Sequence, residues 1–232
     1  MRNTNDSAQG RPRRAAPTVR SMVEHDSYQD LRHHESRRRA RSRGGGCGRP
    51  GFNFYKPSPR YITPQSAHEI IAQLSNEVLK VGVFVNEASP QTVQNIANES
   101  GVTAVQLHGD ESPEYCRELA HQHTIKALAV SHDFDTNIVQ RYQVDAIMLD
   151  TKHNTLRGGT GRAFDWSIAQ QVSKIVPKLY LAGGLSPENV ADAIATVRPY
   201  AVDACSSLES VPGKKDHDRM RAFVAAVRSV KP

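Results

Sequence analysis

Short apolar runs alternate with amphipathic stretches at a regular interval from residue 51 onward. Seven runs have the length and composition of buried strands: GFNFY (51–55), VGVFV (81–85), TAVQL (103–107), TIKALAV (124–130), VDAIML (144–149), KLYLAG (178–183) and YAVDAC (200–205). Strands separated by helical segments are typical of βα units around a parallel sheet. The pattern therefore predicts an α/β fold for residues 51–230.

The helices between these strands share a start signal. Four segments begin with Ser or Thr, then Pro, then Gln or Glu: TPQSAHEIIAQL (63–74), SPQTVQNIANES (89–100), SPEYCRELAHQ (112–122) and SPENVADAIATV (186–197). A hydroxyl N-cap followed by proline in the first turn is a common helix start. KKDHDRMRAFVAAVRSV (214–230) predicts the last helix.

Seven βα units in a chain of this length favour a (βα)8 TIM barrel whose first strand is missing from the printed sequence, because seven strands would leave open sheet edges. We assign residues 51–232 to this domain. A doubly wound open sheet is the alternative. In both folds, ligands bind at the carboxyl ends of the strands.

The excess positive charge lies entirely in the first fifty residues. They hold 12 arginines, no lysine and five acidic residues, so residues 51–232 hold 18 basic and 19 acidic residues. The barrel segment therefore predicts no nucleic-acid surface. We expect residues 1–50 to be a disordered, non-native segment rich in Arg and Gly.

The sequence predicts neither a membrane span nor a secretory signal, and a cytoplasmic location is the expectation. Acidic residues interrupt the N-terminal segment, which argues against a transit peptide: Asp6, Glu24, Asp26, Asp30 and Glu35. Three widely spaced cysteines, Cys47, Cys116 and Cys205, suit a reducing compartment and lack metal-ligand spacing.

Polar or glycine residues follow several predicted strands. Asp150 ends one strand and precedes the glycine-rich loop RGGTGRAFDW (157–166), a position suited to acid or base chemistry; a helix-capping Asp is the alternative. The last two strands lead into LAGGLSPENV (181–190) and VDACSSLES (202–210). There, small residues and free backbone N–H groups could hold a phosphate: Gly183, Gly184, Cys205 and Ser206.

Two further positions are candidates for ligand contact. Gln106 and His108 lie in QLHG at a strand end, where a satisfied polar pair is the alternative. Arg60 lies on a loop stiffened by Pro57 and Pro59 and could bind a carboxylate or phosphate, or remain a solvated surface side chain.

These segments resemble the phosphoribosylanthranilate isomerase family of tryptophan biosynthesis. The motifs GFNFYKPSPRYI, VGVFVNE, AVQLHGDES, MLDTK, GGTGRAFDW, LAGGLSPENV and PGKKDHDRM occur in the family's order over about residues 51–230. The resemblance implies a (βα)8 barrel that converts N-(5-phosphoribosyl)anthranilate to 1-(2-carboxyphenylamino)-1-deoxyribulose 5-phosphate. This Amadori rearrangement uses no metal or cofactor. The expected partner is a phosphorylated small molecule, with no nucleic acid or membrane, and the expected state is a monomer or homodimer.

The resemblance also implies roles for individual residues. Asp150 would be the general acid that opens the furanose ring, and Arg60 would bind the anthranilate carboxylate. Gly161, Gly183–Gly184 and Asp203–Ser206 would surround the phosphate. Ser207 stands where the family often has glycine, and we expect the loop to tolerate it.

The family's general base is a cysteine in a first strand that reads K-I-C-G-I-T, and this motif is absent here. Cys47 follows no apolar strand and cannot take its place. Read one base later, however, the codons of residues 27–35 permit R-I-K-I-C-G-I-T, preceded by a possible ATG, and those of residues 36–51 permit a first helix. We infer that residues 1–24 translate upstream DNA and that residues 25–50 are the first βα unit out of frame.

Other functions remain open from the sequence. The printed chain could be an inactive barrel without its general base. RRRARSR (37–43) could be a nucleic-acid-binding arm, although such an arm has no reason to encode a catalytic motif in another frame. A related phosphate-binding barrel, such as the isomerase of histidine synthesis or a ribulose-phosphate epimerase, is the enzymatic rival.

Overall fold

A computed structural model describes residues 18–21, 48–150 and 166–230. Its strands are β1 (Thr18–Ser21), β2 (Gly51–Asn53), β3 (Val81–Phe84), β4 (Ala104–Leu107), β5 (His123–Ala129), β6 (Ala146–Asp150), β7 (Leu179–Ala182), β8 (Ala201–Ala204), β9 (Glu209–Val211) and β10 (Lys214–Lys215). Its α-helices are α1 (Pro64–Ile71), α2 (Pro90–Ser100), α3 (Pro113–Glu118), α4 (Ser167–Ile175), α5 (Val190–Val197) and α6 (His217–Ser229). In these described ranges, 3₁₀ helices cover Thr136–Arg141 and Ser206–Leu208.

Eight strands form one parallel sheet in the order β1-β8-β7-β6-β5-β4-β3-β2. All seven predicted strands are present. The sequence did not predict β1, which pairs with β8 in the register Thr18↔Ala201 to Ser21↔Ala204. Within the described residues, no pairing joins β1 to β2, so the two end strands leave a seam in the sheet.

Side chains alternate between the two faces of the sheet, as period-2 strands require. One apolar cluster lies on the concave, interior face and includes Val81, Ala104, Ala146, Met148 and Tyr180. Two further clusters lie between the sheet and the helices: one around β2–β4 and α1–α3, the other around β6–β8 and α4–α6. This arrangement of layers is that of a TIM barrel.

The predicted hydroxyl caps are present at three helices. The side chains of Thr63, Ser89 and Ser112 accept hydrogen bonds from backbone N–H groups in the first turns of α1, α2 and α3. Each cap provides an acceptor for one of the N–H groups that a helix start leaves unpaired.

Two helix starts differ from the prediction. α5 begins at Val190 rather than beside Pro187, and residues 187–189 form a turn in which Ser186 N donates to Asn189 Oδ1 at 2.8 Å and Val190 N donates to Ser186 O at 3.0 Å. The last helix begins at His217. Lys214 and Lys215 instead form β10, which returns antiparallel to β9 through Gly213 at φ 91°.

Candidate active site

The end of β4 and the end of β6 present polar side chains on the interior face. Ala104 and Ala146 belong to the interior cluster, so every second residue beyond them points the same way. Gln106, His108 and Asp150 follow in that alternation, at the carboxyl ends of their strands. Predicted residues from two separate motifs therefore lie together at the carboxyl end of the barrel interior, here called the barrel mouth.

A chain of hydrogen bonds connects these three side chains. Gln106 Nε2 lies 2.7 Å from His108 Nδ1, and His108 Nε2 lies 2.9 Å from Asp150 Oδ2. Because an amide nitrogen can only donate, Nδ1 accepts and the ring proton sits on Nε2, which donates to the carboxylate. Asp150 remains about one quarter exposed, at 24%. This orientation holds Oδ2, and among the described residues Oδ1 accepts no side-chain hydrogen bond, so it can face a ligand.

The loop after β4 is held by a buried ion pair. Glu111 accepts from Asn86 N at 2.9 Å, from Gly109 N at 2.9 Å and from Lys126 Nζ at 2.6 Å. The Lys126 and Glu111 side chains are 1% and 2% exposed. A Cβ at Gly109 would lie 2.1 Å from Asn86 Oδ1, which explains the glycine of QLHG. The ion pair thus fixes the loop beside His108.

The loop after β7 has the backbone that its two glycines predict. Gly183 and Gly184 have φ of 82° and 63°, in the left-handed region that favours glycine. Asn189 Nδ2 donates to Gly184 O at 3.0 Å and so holds the loop through its carbonyl group. Within the described part of the chain, the amides of Gly184 and Ser206 make no hydrogen bond. These two donors lie at the carboxyl ends of adjacent strands.

The loop after β8 accommodates Ser207 without backbone strain, because the described non-glycine residues with positive φ are Asn86 and Arg198. The Ser207 hydroxyl donates to Leu185 O and joins the β7 and β8 loops. Arg219 Nε donates to Ser207 O at 2.6 Å from α6. Asp203 is buried on β8, in alternation with the interior residue Ala201.

Arg60 pairs with Glu209, which also pairs with Lys215, and neither partner was predicted from the sequence. Its Nε donates to Glu209 Oε1 at 3.0 Å, and its Nη2 donates to Glu209 Oε2. Lys215 Nζ donates to Glu209 Oε1 at 2.9 Å and to Cys205 O at 3.0 Å. The motif PGKKDHDRM contains Lys215, but its burial depends on the β9–β10 hairpin and cannot be predicted from periodicity.

The described cysteines are poor candidates for a general base. Cys116 and Cys205 are free thiols. Burial raises the pKa of Cys116 to about 11 and that of Cys205 to about 12, so both thiols stay protonated near neutral pH. Cys205 therefore contributes to the loop as a neutral side chain.

Some predicted features lie outside the described residues, namely Gly161, most of the loop 157–166, and Cys47. In the described ranges, no group of three or more His, Cys, Asp or Glu side chains could hold a metal ion. No helix in the same ranges is long and apolar enough to cross a membrane.

Comparison with known proteins identifies the family. The family model for N-(5'-phosphoribosyl)anthranilate (PRA) isomerase matches residues 29–226. An N-(5'-phosphoribosyl)anthranilate isomerase of Syntrophus aciditrophicus is 45% identical over 183 residues, which are 79% of each chain. That of Thermotoga maritima is 44% identical over 180 residues, 77% of this chain and 87% of the relative.

Solved structures agree in fold. The crystal structure of the Thermotoga maritima isomerase is 39% identical, with a TM-score of 0.78 over 92% of this chain and 98% of that chain. A phosphoribosylanthranilate isomerase in complex with reduced 1-(o-carboxyphenylamino)-1-deoxyribulose 5-phosphate has a TM-score of 0.76 at 37% identity, with the same coverage. The resemblance and the TIM-barrel fold predicted from the sequence are thus confirmed, and the chain belongs to the phosphoribosylanthranilate isomerase family.

Proposed function

We propose that the barrel mouth isomerises N-(5-phosphoribosyl)anthranilate in tryptophan biosynthesis, with Asp150 as the general acid. The observation that carries this assignment is the hydrogen-bonded chain Gln106–His108–Asp150 at the carboxyl face, 2.7 and 2.9 Å between successive polar atoms. A carboxyl group held at one oxygen and partly exposed can present the other oxygen to a substrate.

The acid step follows from this geometry. Asp150 donates its proton from Oδ1 to the furanose ring oxygen while the C1′–O bond breaks and the anilino nitrogen forms the C=N bond of a Schiff base. His108 Nε2–H, donating to Oδ2, stabilises the carboxylate that results. Removal of the C2′ proton by a base then gives an enolamine, which tautomerises to the aminoketose.

Two groups of donors suit the two ends of the substrate. The amides of Gly184 and Ser206 can donate to the phosphate, supported by the left-handed backbone at Gly183 and Gly184. We assign the Asp203–Ser206 segment and Gly161 to the same phosphate site. The Arg60 guanidinium is assigned to the anthranilate carboxylate, for which its planar donors are suited.

The general base is the missing part of this site. We propose that it is the cysteine encoded in the shifted frame across Leu31 and Arg32, so that the in-frame protein begins its barrel with the strand R-I-K-I-C-G-I-T. Residues 1–50 are then a non-native segment and 51–232 the barrel domain. Strand β1, TVRS, pairs with β8 but contains no cysteine.

The test compares the printed chain with an in-frame version in which the shifted-frame segment replaces residues 1–50. Turnover of phosphoribosylanthranilate, followed by the fluorescence of the aryl amine, should be at least about 10²-fold faster for the in-frame version. Its Cys→Ala variant is the matched control and should lose that gain. Equal turnover by both chains would refute the assignment of the base. Turnover of only the histidine-pathway aminoaldose would refute the substrate.

The remaining assignments concern location and assembly. We propose a cytoplasmic enzyme without nucleic-acid partners, acting as a monomer or homodimer. The crystal structure of monomers generated from the dimeric isomerase of Thermotoga maritima has a TM-score of 0.75 to this chain. Sedimentation of the in-frame protein would determine its state. Salt-sensitive DNA binding by the printed chain would instead favour the arm hypothesis.

A further inference from the structure

Three charged side chains form a cluster at the carboxyl face, and the sequence places them far apart. Arg60 follows β2, Glu209 begins β9 and Lys215 ends β10. Glu209 receives two hydrogen bonds from Arg60 and one from Lys215. The Arg60–Glu209 contact joins residues 149 positions apart.

Burial distinguishes the members of this cluster. The Glu209 and Lys215 side chains are 3% and 0% exposed, whereas Arg60 is 21% exposed. A ligand can therefore reach Arg60 but not the two residues behind it. Burial raises the pKa of Glu209, but the hydrogen bonds and charges of Arg60 and Lys215 outweigh it and lower the pKa to about 2. Glu209 is ionised at neutral pH.

The charges explain why a lysine is present. An Arg–Glu pair alone is neutral, and its guanidinium attracts an incoming carboxylate weakly because the nearby anion cancels most of its field. Lys215 adds a second cation, so the cluster carries a net charge of +1. Glu209 meanwhile engages the Nε and Nη2 donors and fixes the plane of the guanidinium.

We propose that Glu209 and Lys215 are positioning residues for substrate recognition: Glu209 orients Arg60, and Lys215 keeps the cluster positive so that Arg60 binds the aryl carboxylate. This inference rests on the proposed function through the role of Arg60. It also accounts for the motif PGKKD. The chain reverses at Gly213, which has a φ of 91°, and this turn brings Lys215 to Glu209.

The test is a binding measurement on the full printed chain by titration calorimetry. The first probe is reduced 1-(o-carboxyphenylamino)-1-deoxyribulose 5-phosphate, and the second is the same compound without the aryl carboxylate. Lys215→Met should weaken binding of the carboxylated probe by about tenfold or more, as expected for the loss of one unit charge about 10 Å away, on the far side of Glu209, at an effective dielectric near 20. Binding of the second probe should change by less than about threefold.

Two further variants complete the design. Lys214→Met removes the exposed neighbouring charge of the same hairpin and should leave both affinities unchanged. Lys215→Gln removes the charge but keeps a donor for Glu209 and Cys205 O. It should show the same tenfold loss, and it provides the test if the methionine variant does not fold.

Each alternative result has a distinct meaning. Equal weakening of both probes, or no weakening of either, would overturn the role of Lys215 and leave the proposed function intact. Equal affinity of the unmodified chain for the two probes would show that Arg60 does not recognise the carboxylate, which overturns the inference but keeps the phosphate site. Binding of neither probe, by the printed chain or by its in-frame version, would overturn the proposed function together with this inference.

Discussion

Replacing Lys126 with methionine should destabilise the barrel strongly. The ammonium donates to Glu111 Oε2 at 2.6 Å, to Gly109 O at 2.6 Å and to Leu107 O at 3.3 Å, and it is 1% exposed. Methionine fills a similar volume but leaves the Glu111 charge buried without its cation. Removing one partner of a buried ion pair costs about 3–5 kcal/mol.

The expected loss lies within that range and not above it, because Glu111 keeps two backbone donors, Asn86 N and Gly109 N. Against a typical total stability of about 5–15 kcal/mol, the change is easily measured. Urea denaturation followed by circular dichroism should show a lower midpoint with an unchanged slope. Lys174→Met, at an exposed position of α4, should shift stability by about 0.5 kcal/mol or less.

A double variant separates the charge from the packing. Adding Glu111→Gln to Lys126→Met removes the uncompensated charge and retains an acceptor for the two amides, so at least about 1 kcal/mol should return. A loss below about 1 kcal/mol for the single variant would refute the reasoning. So would additive losses in the double variant, because they would show that the pair is not coupled.

Three further predictions concern the site. Asp150→Asn in the in-frame enzyme should lower kcat by about 10²-fold or more while probe affinity stays within a few fold; an unchanged kcat would exclude Asp150 as the acid. Stability contributed by Glu209, whose folded pKa of about 2 lies below its ordinary 4.5, should be fully present above pH 4.5 and disappear as the pH falls toward 2. The urea midpoint of Glu209→Gln should therefore change less between pH 4.5 and pH 2 than that of the unmodified protein. An equal pH dependence of the two midpoints would contradict the ion pair. Gly109→Ala should lower the melting temperature because its Cβ would overlap Asn86 Oδ1 at 2.1 Å, whereas an unchanged melt would show that the loop adapts.

The strands and most helix starts were predictable because they depend on local pattern. Period-2 alternation and Ser/Thr-Pro caps are properties of neighbouring residues, and α1 to α3 begin where the caps predict. The start of α5 was predicted beside Pro187, whereas residues 187–189 form a turn and the helix begins at Val190; the Ser-Pro-Glu signal is the same for such a turn as for a helix start. Strand β1 has four residues and no periodicity, so only its pairing with β8 defines it.

The sequence predicted several site residues one by one, but it did not predict the contacts between them. Asp150 and His108 were expected separately from their places at strand ends, but their 2.9 Å contact depends on the curvature of the sheet. Lys126 looked like an ordinary strand residue, and nothing in TIKALAV indicates that its amine is buried on the carbonyls of the preceding strand. Arg60 was selected as a ligand contact, while its partner Glu209 was not.

The contact between Arg60 and Glu209 also bears on how the protein acquires its site. Closing a loop of 149 residues is entropically costly, and contacts of such sequence separation form late in folding. A nascent chain that has released only β2 to β7 from the ribosome carries the arginine without the carboxylate that orients it. Recognition of the aryl carboxylate should therefore be the last property to appear during refolding, which makes ligand binding a reporter of the completed chain.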